Sequence, residues 1–112
     1  MHSPLQQQLI EESCHVIALA RPLIERIEKR DRDLASQLRR SLSGITLCIA
    51  EGFGRRAGNA RNLFETARGS LLESHAAFGV AIAWSYLSEA DCAEVRLRLD
   101  RLSGRLFGLM KR

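Results

Sequence analysis

The chain has 112 residues and a formal net charge of +4, with 46% hydrophobic and 27% charged residues. This length suits one domain, which can bury a core without disulfides or metal ions. The composition excludes an intrinsically disordered chain, which would be poorer in apolar residues. Only two prolines, Pro4 and Pro22, interrupt the sequence, and long stretches without turn residues argue against a β-hairpin protein. We therefore predict a single all-α domain over residues 1–112.

Cysteine use and the N-terminal sequence indicate a cytoplasmic location. The three cysteines, Cys14, Cys48 and Cys92, cannot pair completely, and none lies in a C-x-x-C pair. We interpret them as buried small apolar side chains in a reducing compartment rather than as metal or redox ligands. Glutamines at 6–8 and glutamates at 11 and 12 lie where a signal peptide needs apolar residues, so we expect none.

The first helix is predicted over about residues 4–28. Ser3 can cap it, Pro4 suits the first helical position, and Gln6 stands where a capping box requires it. Apolar residues recur at helical spacing along one face. These residues are Leu5, Leu9, Val16, Ala20, Leu23 and Ile27.

The second helix is predicted over about residues 33–53. Asp31 or Asp33 can cap its start. It should end at the glycines Gly52 and Gly54, where a left-handed C-terminal cap favours glycine. Its predicted core face consists of Leu34, Leu38, Leu42, Ile45 and Ile49.

The third and fourth helices are predicted over about residues 59–86 and 89–110. Ser88 with Asp91 forms a capping box at the start of the fourth helix. Because short loops join long helices, we expect an antiparallel up-down four-helix bundle. The third helix carries Leu63, Ala67, Leu71, Ser74, Phe78 and Ile82 on its core face, and the fourth carries Cys92, Val95, Leu99, Leu102, Leu106 and Leu109.

Three stretches without Asp, Glu, Lys or Arg indicate a second buried surface. They span residues 13–20, 41–50 and 74–88, and Leu47, Val80 and Trp84 in them lie off the core faces. The stretches are too short to span a membrane, so we expect no membrane contact. Scattered surface hydrophobic residues are the alternative explanation. We favour homo-oligomerisation, because the stretches are expected at the same mid-bundle height.

Basic residues concentrate in the middle of the chain. Residues 29–68 contain nine basic and four acidic residues, a net charge of +5. Guanidinium groups suit phosphates, so RNA or DNA is one possible class of partner. An acidic protein and a merely solvated basic face remain alternatives. The candidate nucleic-acid-binding residues are Arg39, Arg40, Arg55, Arg56, Arg61 and Arg68.

Glu51 is the one isolated acidic residue in this basic region. It is the only acid between Asp33 and Glu65, and Arg55 follows at i+4, a favourable helical spacing. We predict that Glu51 fixes the turn between helices two and three, because a lone carboxylate lacks the partner that acid–base catalysis needs. We find no pattern for catalytic residues, a metal, a cofactor or a small-molecule substrate, and expect a protein that is not an enzyme.

The sequence resembles a known family at residues 36–40, S-Q-L-R-R, and above all at residues 49–56, I-A-E-G-F-G-R-R. These blocks, with Gly69-Ser70-Leu71 and Glu73 and with residues 86–89, are similar to the four-helix-bundle family of 23S rRNA intervening-sequence proteins. That family is similar to the accessory variability protein of diversity-generating retroelements. The resemblance covers about residues 34–110, and the I-A-E-G-F-G-R block is its specific part.

The resemblance implies a four-helix bundle assembled as a homopentameric ring or barrel. It also implies a non-enzymatic role, with nucleic acid and a reverse transcriptase as partners in the retroelement branch. The structural and oligomer residues that we infer are Leu47, Ile49, Glu51, Gly52, Phe53, Gly54, Val80 and Trp84. The chain departs from the usual S-I-P-S-N-I-A-E-G pattern at residues 44–52, where the proline and asparagine are absent.

Overall fold

The computed structural model describes residues 3–111, which form four α-helices joined by short loops. The helices are α1 (Pro4–Glu28), α2 (Arg32–Phe53), α3 (Ala57–Ala83) and α4 (Glu89–Met110). Each helix packs against the next, and α4 returns to pack against α1, in a body of 42 × 22 × 22 Å. Residues 1, 2 and 112 of the predicted domain lie outside the described residues.

The hydrophobic core receives side chains from all four helices. The predicted face of α2 is buried along its whole length, from Leu34 to Ile49. The rotation of α1 and α3 differs slightly from prediction, because Ile24 and Phe64 are buried where the neighbouring Leu23 and Leu63 were expected. Adjacent residues are only about 100° apart on a helix, so packing against neighbours decides which one is covered. Leu5, Leu23, Leu63, Ile82 and Leu109 are half-buried.

Hydroxyl groups fix the alignment of neighbouring helices. Ser41 on α2 and Ser74 on α3 are buried and share a hydrogen bond of 2.7 Å between their Oγ atoms. Thr46 on α2 donates to Ser13 Oγ on α1 over 2.7 Å. Each pair favours one alignment of its two helices, because the hydrogen bond between the helices forms only where the two hydroxyl groups face each other.

Side-chain caps begin three of the helices. Ser3 accepts a hydrogen bond from Gln6 N over 3.0 Å, and Asp31, not Asp33, accepts one from Leu34 N over 3.0 Å. Ser88 and Asp91 form the predicted capping box of α4. At α1 the described residues form only half of the predicted capping box. The Ser3 side chain accepts its bond, but the side chain of Gln6 is buried and does not bond back to Ser3.

The predicted bounds of α3 were wrong at both ends. The helix begins at Ala57, two residues before the predicted start, and Ala60 N donates to Arg56 O over 2.8 Å. It ends at Ala83 because Ser85 adopts a left-handed conformation, with φ of 62°. Tyr86 N and Ser85 N then bond to Ala81 O and Ile82 O, the pattern of a Schellman cap.

The predicted left-handed glycine at the end of α2 was also wrong. Gly54 is the C-cap, but its φ is −90°, and none of the glycines within residues 3–111 has a positive φ. Gly54 N bonds to Glu51 O over 3.0 Å, which tightens the last turn without a left-handed residue.

The charge-free stretches do not all lie at one height. Leu47, Val80 and Trp84 are exposed, at 62%, 43% and 66% of their surface. Since Thr46 bonds to Ser13, Leu47 lies beside the charge-free stretch of α1. Trp84 instead lies ten residues beyond the Ser41–Ser74 pair, roughly 15 Å along α3. Leu47 therefore lies in one exposed apolar area and Val80 with Trp84 in a second one, rather than in a single belt.

No helix in the described range is long and apolar enough to cross a membrane. The expectation that all three cysteines are buried was wrong for Cys14, which is exposed. Cys14 lies next to Ser13, off the face of α1 that Val16 shares with the core. Cys92 is buried and Cys48 is half-buried.

Candidate functional site at the arginine-rich end

The structure divides the six candidate arginines into two groups. Arg39 and Arg40 lie in the first half of α2, whereas Arg55, Arg56, Arg61 and Arg68 follow its C-terminal end. Fourteen residues of helix separate Arg39 from Phe53, which corresponds to about 20 Å. The arginines therefore form two separate groups rather than one continuous surface.

Arg39 is engaged within the chain. Its Nη1 and Nη2 atoms each donate to a carboxylate oxygen of Glu28 over 3.0 Å, a bidentate pair. This pairing lowers the pKa of Glu28 and raises that of Arg39. Arg40 is exposed and forms no ion pair with another described residue. A phosphate would have to compete with Glu28 for Arg39.

The second group forms the arginine end, which we define as residues 55–61 together with Arg68, Phe107 and Lys111. Arg55, Arg56 and Arg61 are exposed, and their guanidinium groups form no ion pairs within residues 3–111. Arg56 is the N-cap of α3, and no side chain caps this helix start. The backbone N–H groups there add positive potential to that of the arginines.

Arg68 is held in place by α4. Its Nε atom donates to Ser103 Oγ over 3.1 Å, and its guanidinium carbon lies 5.0 Å from the centre of the Phe107 ring. Lys111 Nζ lies 4.5 Å from the same ring centre. Phe107 is 42% exposed. The sequence reasoning missed Phe107 and Lys111. Their i,i+4 spacing was visible in the sequence, but their approach to Arg68 depends on the packing of α3 against α4.

Two shallow grooves connect these residues. One, of about 370 Å³, lies between α3 and α4 and passes from Arg61 and Arg68 to Phe107 and Lys111. The other, of about 410 Å³, lies between the start of α3 and the end of α4 and contains Arg61 with Met110. Arg61 lines both, so a ligand in either groove would contact the same cation.

The block of residues 49–54 joins α2 to α3. Ile49 is fully buried, and the ring of Phe53 stacks edge-to-face on that of Phe64 with 5.2 Å between centroids. A Cβ atom on Gly52 would lie 2.5 Å from Phe64 Cε1, so only glycine fits there. These residues hold the two helices together, and they set the position of the arginines that follow.

The predicted helical pair between Glu51 and Arg55 was wrong. Glu51 is exposed, and the described ion pairs do not join it to Arg55. The reason is local, because α2 ends at Phe53 and Arg55 is no longer on the helical spiral. Glu51 contributes to the turn through its backbone carbonyl, which accepts from Gly54 N.

The opposite end of the bundle differs in charge arrangement. We define this paired end as loops 29–31 and 84–88 with Arg26, Glu28, Arg39 and Asp91. Tyr86 donates its hydroxyl to Asp31 Oδ2 over 3.2 Å, and Arg26 Nη2 lies 3.2 Å from Asp91 Oδ2. Burial and the Asp31 hydrogen bond raise the pKa of Tyr86, while hydrogen bonds from Ser88 N, Arg26 and Ser88 Oγ lower that of Asp91.

The remaining chemical groups within the described range are dispersed. No three His, Cys, Asp or Glu side chains there are grouped as metal ligands would be. Burial, with a smaller contribution from Glu51, raises the pKa of Cys48. Burial likewise raises the pKa of the Cys92 thiol, which favours its neutral form.

Comparison with known proteins places this arrangement in a family. The model of the 23S rRNA-intervening sequence protein family matches residues 7–108, which include α2, α3, most of α1 and α4, and every arginine considered above. No curated protein and no solved structure matches the chain. The match covers most of the sequence, and the four-helix structure agrees with it. The chain therefore belongs to the 23S rRNA-intervening sequence protein family.

Proposed function

We propose that this protein is a non-enzymatic, oligomeric helical bundle that binds nucleic acid through its arginine end. One observation carries the proposal: Arg55, Arg56 and Arg61 are exposed and form no ion pairs within the described residues, whereas Arg39 is neutralised by Glu28. Free guanidinium groups bind phosphate oxygens with paired, charge-assisted hydrogen bonds.

The test is a binding titration at several salt concentrations. The probes are a fluorescently labelled single-stranded RNA and a DNA duplex of the same length, added to protein that has been freed of nucleic acid by nuclease. We expect log K to fall linearly with log salt, and Arg55→Ala with Arg56→Ala to make that slope shallower by about two.

The matched control removes two arginines from the other group, Arg39→Ala with Arg40→Ala. It changes the net charge by the same amount, so a loss of binding from general charge would appear in both variants. We expect the control to keep most of the affinity, because Arg39 is already paired with Glu28. Absence of binding at low salt, or equal losses in both variants, would contradict the proposal.

For assembly, we propose antiparallel neighbouring helices and a homopentameric ring. The contacts of α2 with α3 support the first part, since Ser41 meets Ser74 while Gly52 meets Phe64. Two separate exposed apolar areas support the second, because a cyclic ring joins unlike surfaces whereas a two-fold dimer joins like ones. The number five rests on the family resemblance alone.

Light scattering tests the assembly. A particle of several times the chain mass of 12.6 kDa is expected, and Trp84→Ala or Leu47→Asp should each reduce it. Leu72→Ala is the control, since Leu72 is exposed in the groove between α3 and α4. A monomer at working concentration would overturn this part without affecting the binding proposal.

The second candidate function is an interaction scaffold whose arginine end meets an acidic protein. The apolar residues between the cations favour it, since Leu72 and Phe107 are exposed in the same groove. This candidate would be selected if the protein captured a partner protein after nuclease treatment, if that capture required Arg55 and Arg56, and if neither RNA nor DNA bound.

A further inference from the structure

We propose that Phe107 is a stacking platform for an unpaired base, so that the nucleic acid bound at the arginine end is single-stranded. This inference rests on the proposed function and specifies its ligand. It begins with the ring itself, which is 42% exposed and lies beside Arg68 and Lys111. An exposed aromatic ring between cations is the arrangement with which proteins bind single strands.

The other aromatic side chains near the arginines are already occupied. Phe64 is buried, and Phe53 packs edge-to-face on it. Trp84 is exposed but belongs to the paired end, beyond the Ser41–Ser74 pair. Phe107 is therefore the ring that can serve the arginine end, although it lies far from the arginines in sequence.

The two cations on Phe107 have different freedom to move. Arg68 is fixed by its bond to Ser103, which is buried, and its terminal nitrogens stay near the ring. Lys111, the residue after α4, is exposed, and only its ammonium group contacts the ring. A base stacking on the ring gains more than an exposed lysine does. We expect the base to displace Lys111, whose ammonium group then meets a phosphate.

The groove around Phe107 has the charge and space for this ligand. Arg61, Arg68 and Lys111 line it against the single carboxylate of Glu65. Arg61 also lines the second groove, which reaches Ala57 and Gly58 at the start of α3. Gly69 on its wall faces open space, so no side chain there obstructs a base. A base within a duplex is already stacked on both faces, so only an unpaired base can use the ring.

The experiment compares Phe107→Leu with the unmodified full-length protein. The probes are a single-stranded RNA containing 2-aminopurine and the same strand annealed to its complement. Stacking of the labelled base on Phe107 should change the fluorescence of 2-aminopurine. We expect Phe107→Leu to weaken single-strand binding by roughly tenfold and to abolish this change, with little effect on duplex binding. Phe107→Tyr, which keeps a ring, should restore both. Leu97→Ala on the same helix is the control, and circular dichroism verifies that each variant is folded.

The outcomes separate this inference from the function on which it rests. If neither strand form binds, the proposed function fails. If both bind equally and Phe107→Leu changes neither, nucleic-acid binding stands and the stacking inference is overturned. A third outcome is that Phe107→Leu weakens the binding of a leucine- and glutamate-rich amphipathic peptide but leaves RNA binding unchanged. The groove would then be a protein-docking site, and the inference would be overturned as well.

Discussion

The two ends of this bundle handle charge in opposite ways. At the paired end Glu28 binds Arg39 and Arg26 binds Asp91. Asp31 accepts hydrogen bonds from Leu34 N, which caps α2, and from the Tyr86 hydroxyl. At the arginine end, three exposed guanidinium groups form no ion pairs within the described residues, and the structure there depends on apolar packing. The charges of the first end are therefore paired within the fold, whereas those of the second remain available for a partner.

The packing of α2 on α3 beside the arginine end should be disrupted by one methyl group added at Gly52. Gly52→Ala places a Cβ atom 2.5 Å from Phe64, so Phe64 and Phe53 must move. We expect a loss of about 2 kcal/mol in the free energy of unfolding, although alanine favours helices. Gly69→Ala, which meets open space, should instead gain up to about 1 kcal/mol. Denaturation at one fixed protein concentration measures both, and a stabilised Gly52→Ala variant would contradict the packing account.

The paired end should lose stability through its cap. Asp31→Ala removes the acceptor for Leu34 N and for the Tyr86 hydroxyl, and we expect a loss of about 1 kcal/mol or more. Asp33→Ala is the control, because Asp33 lies in the first turn of α2 without capping it and should cost a few tenths. Equal losses in thermal unfolding would show that Asp31 has no special role.

Acid should weaken the paired end selectively. Folding lowers the pKa of Glu28 and of Asp91 from their ordinary values of 4.5 and 3.8. A carboxyl group with a lowered folded pKa stabilises the protein above its unfolded pKa, and this stabilisation is lost as the pH falls through the folded value. We therefore expect stability to fall below about pH 4.5, with a shallower fall in Asp91→Asn. An identical pH profile for the variant would contradict the assignment.

The smallest effect on stability is expected from the exposed arginines. Arg55→Ala with Arg56→Ala removes two cations that form no ion pair, and unfolding should change by less than about 0.5 kcal/mol. Their loss should be visible in binding only. A marked destabilisation would mean that these arginines are structural and would remove the contrast between the two ends.

Much of the fold could be predicted from local sequence, because helix caps and apolar faces depend on residues three or four positions apart. Ser3, Asp31 and Ser88 cap their helices, and the face of α2 is buried as its spacing indicated. The end of α3 was missed because Ser85, not glycine or asparagine, takes the left-handed position.

The site was less predictable, because its properties depend on tertiary contacts. Sequence found the arginines but could not distinguish Arg39, which meets Glu28 across the α1–α2 loop, from those at the arginine end. Nor could it bring Phe107 to Arg68, since they are joined only by the packing of α4 on α3. The predicted Glu51–Arg55 pair failed because the helix ends between them.

The most direct test of the contrast between the two ends is to observe each arginine side chain while RNA is added. Arginine Nε–Hε correlations in a relaxation-optimised NMR spectrum report each guanidinium group separately, even in a large oligomer. The account predicts that the signals of Arg55, Arg56, Arg61 and Arg68 shift as single-stranded RNA binds, while that of Arg39 stays with Glu28. Equal shifts at both ends, or shifts confined to Arg39 and Arg40, would contradict it.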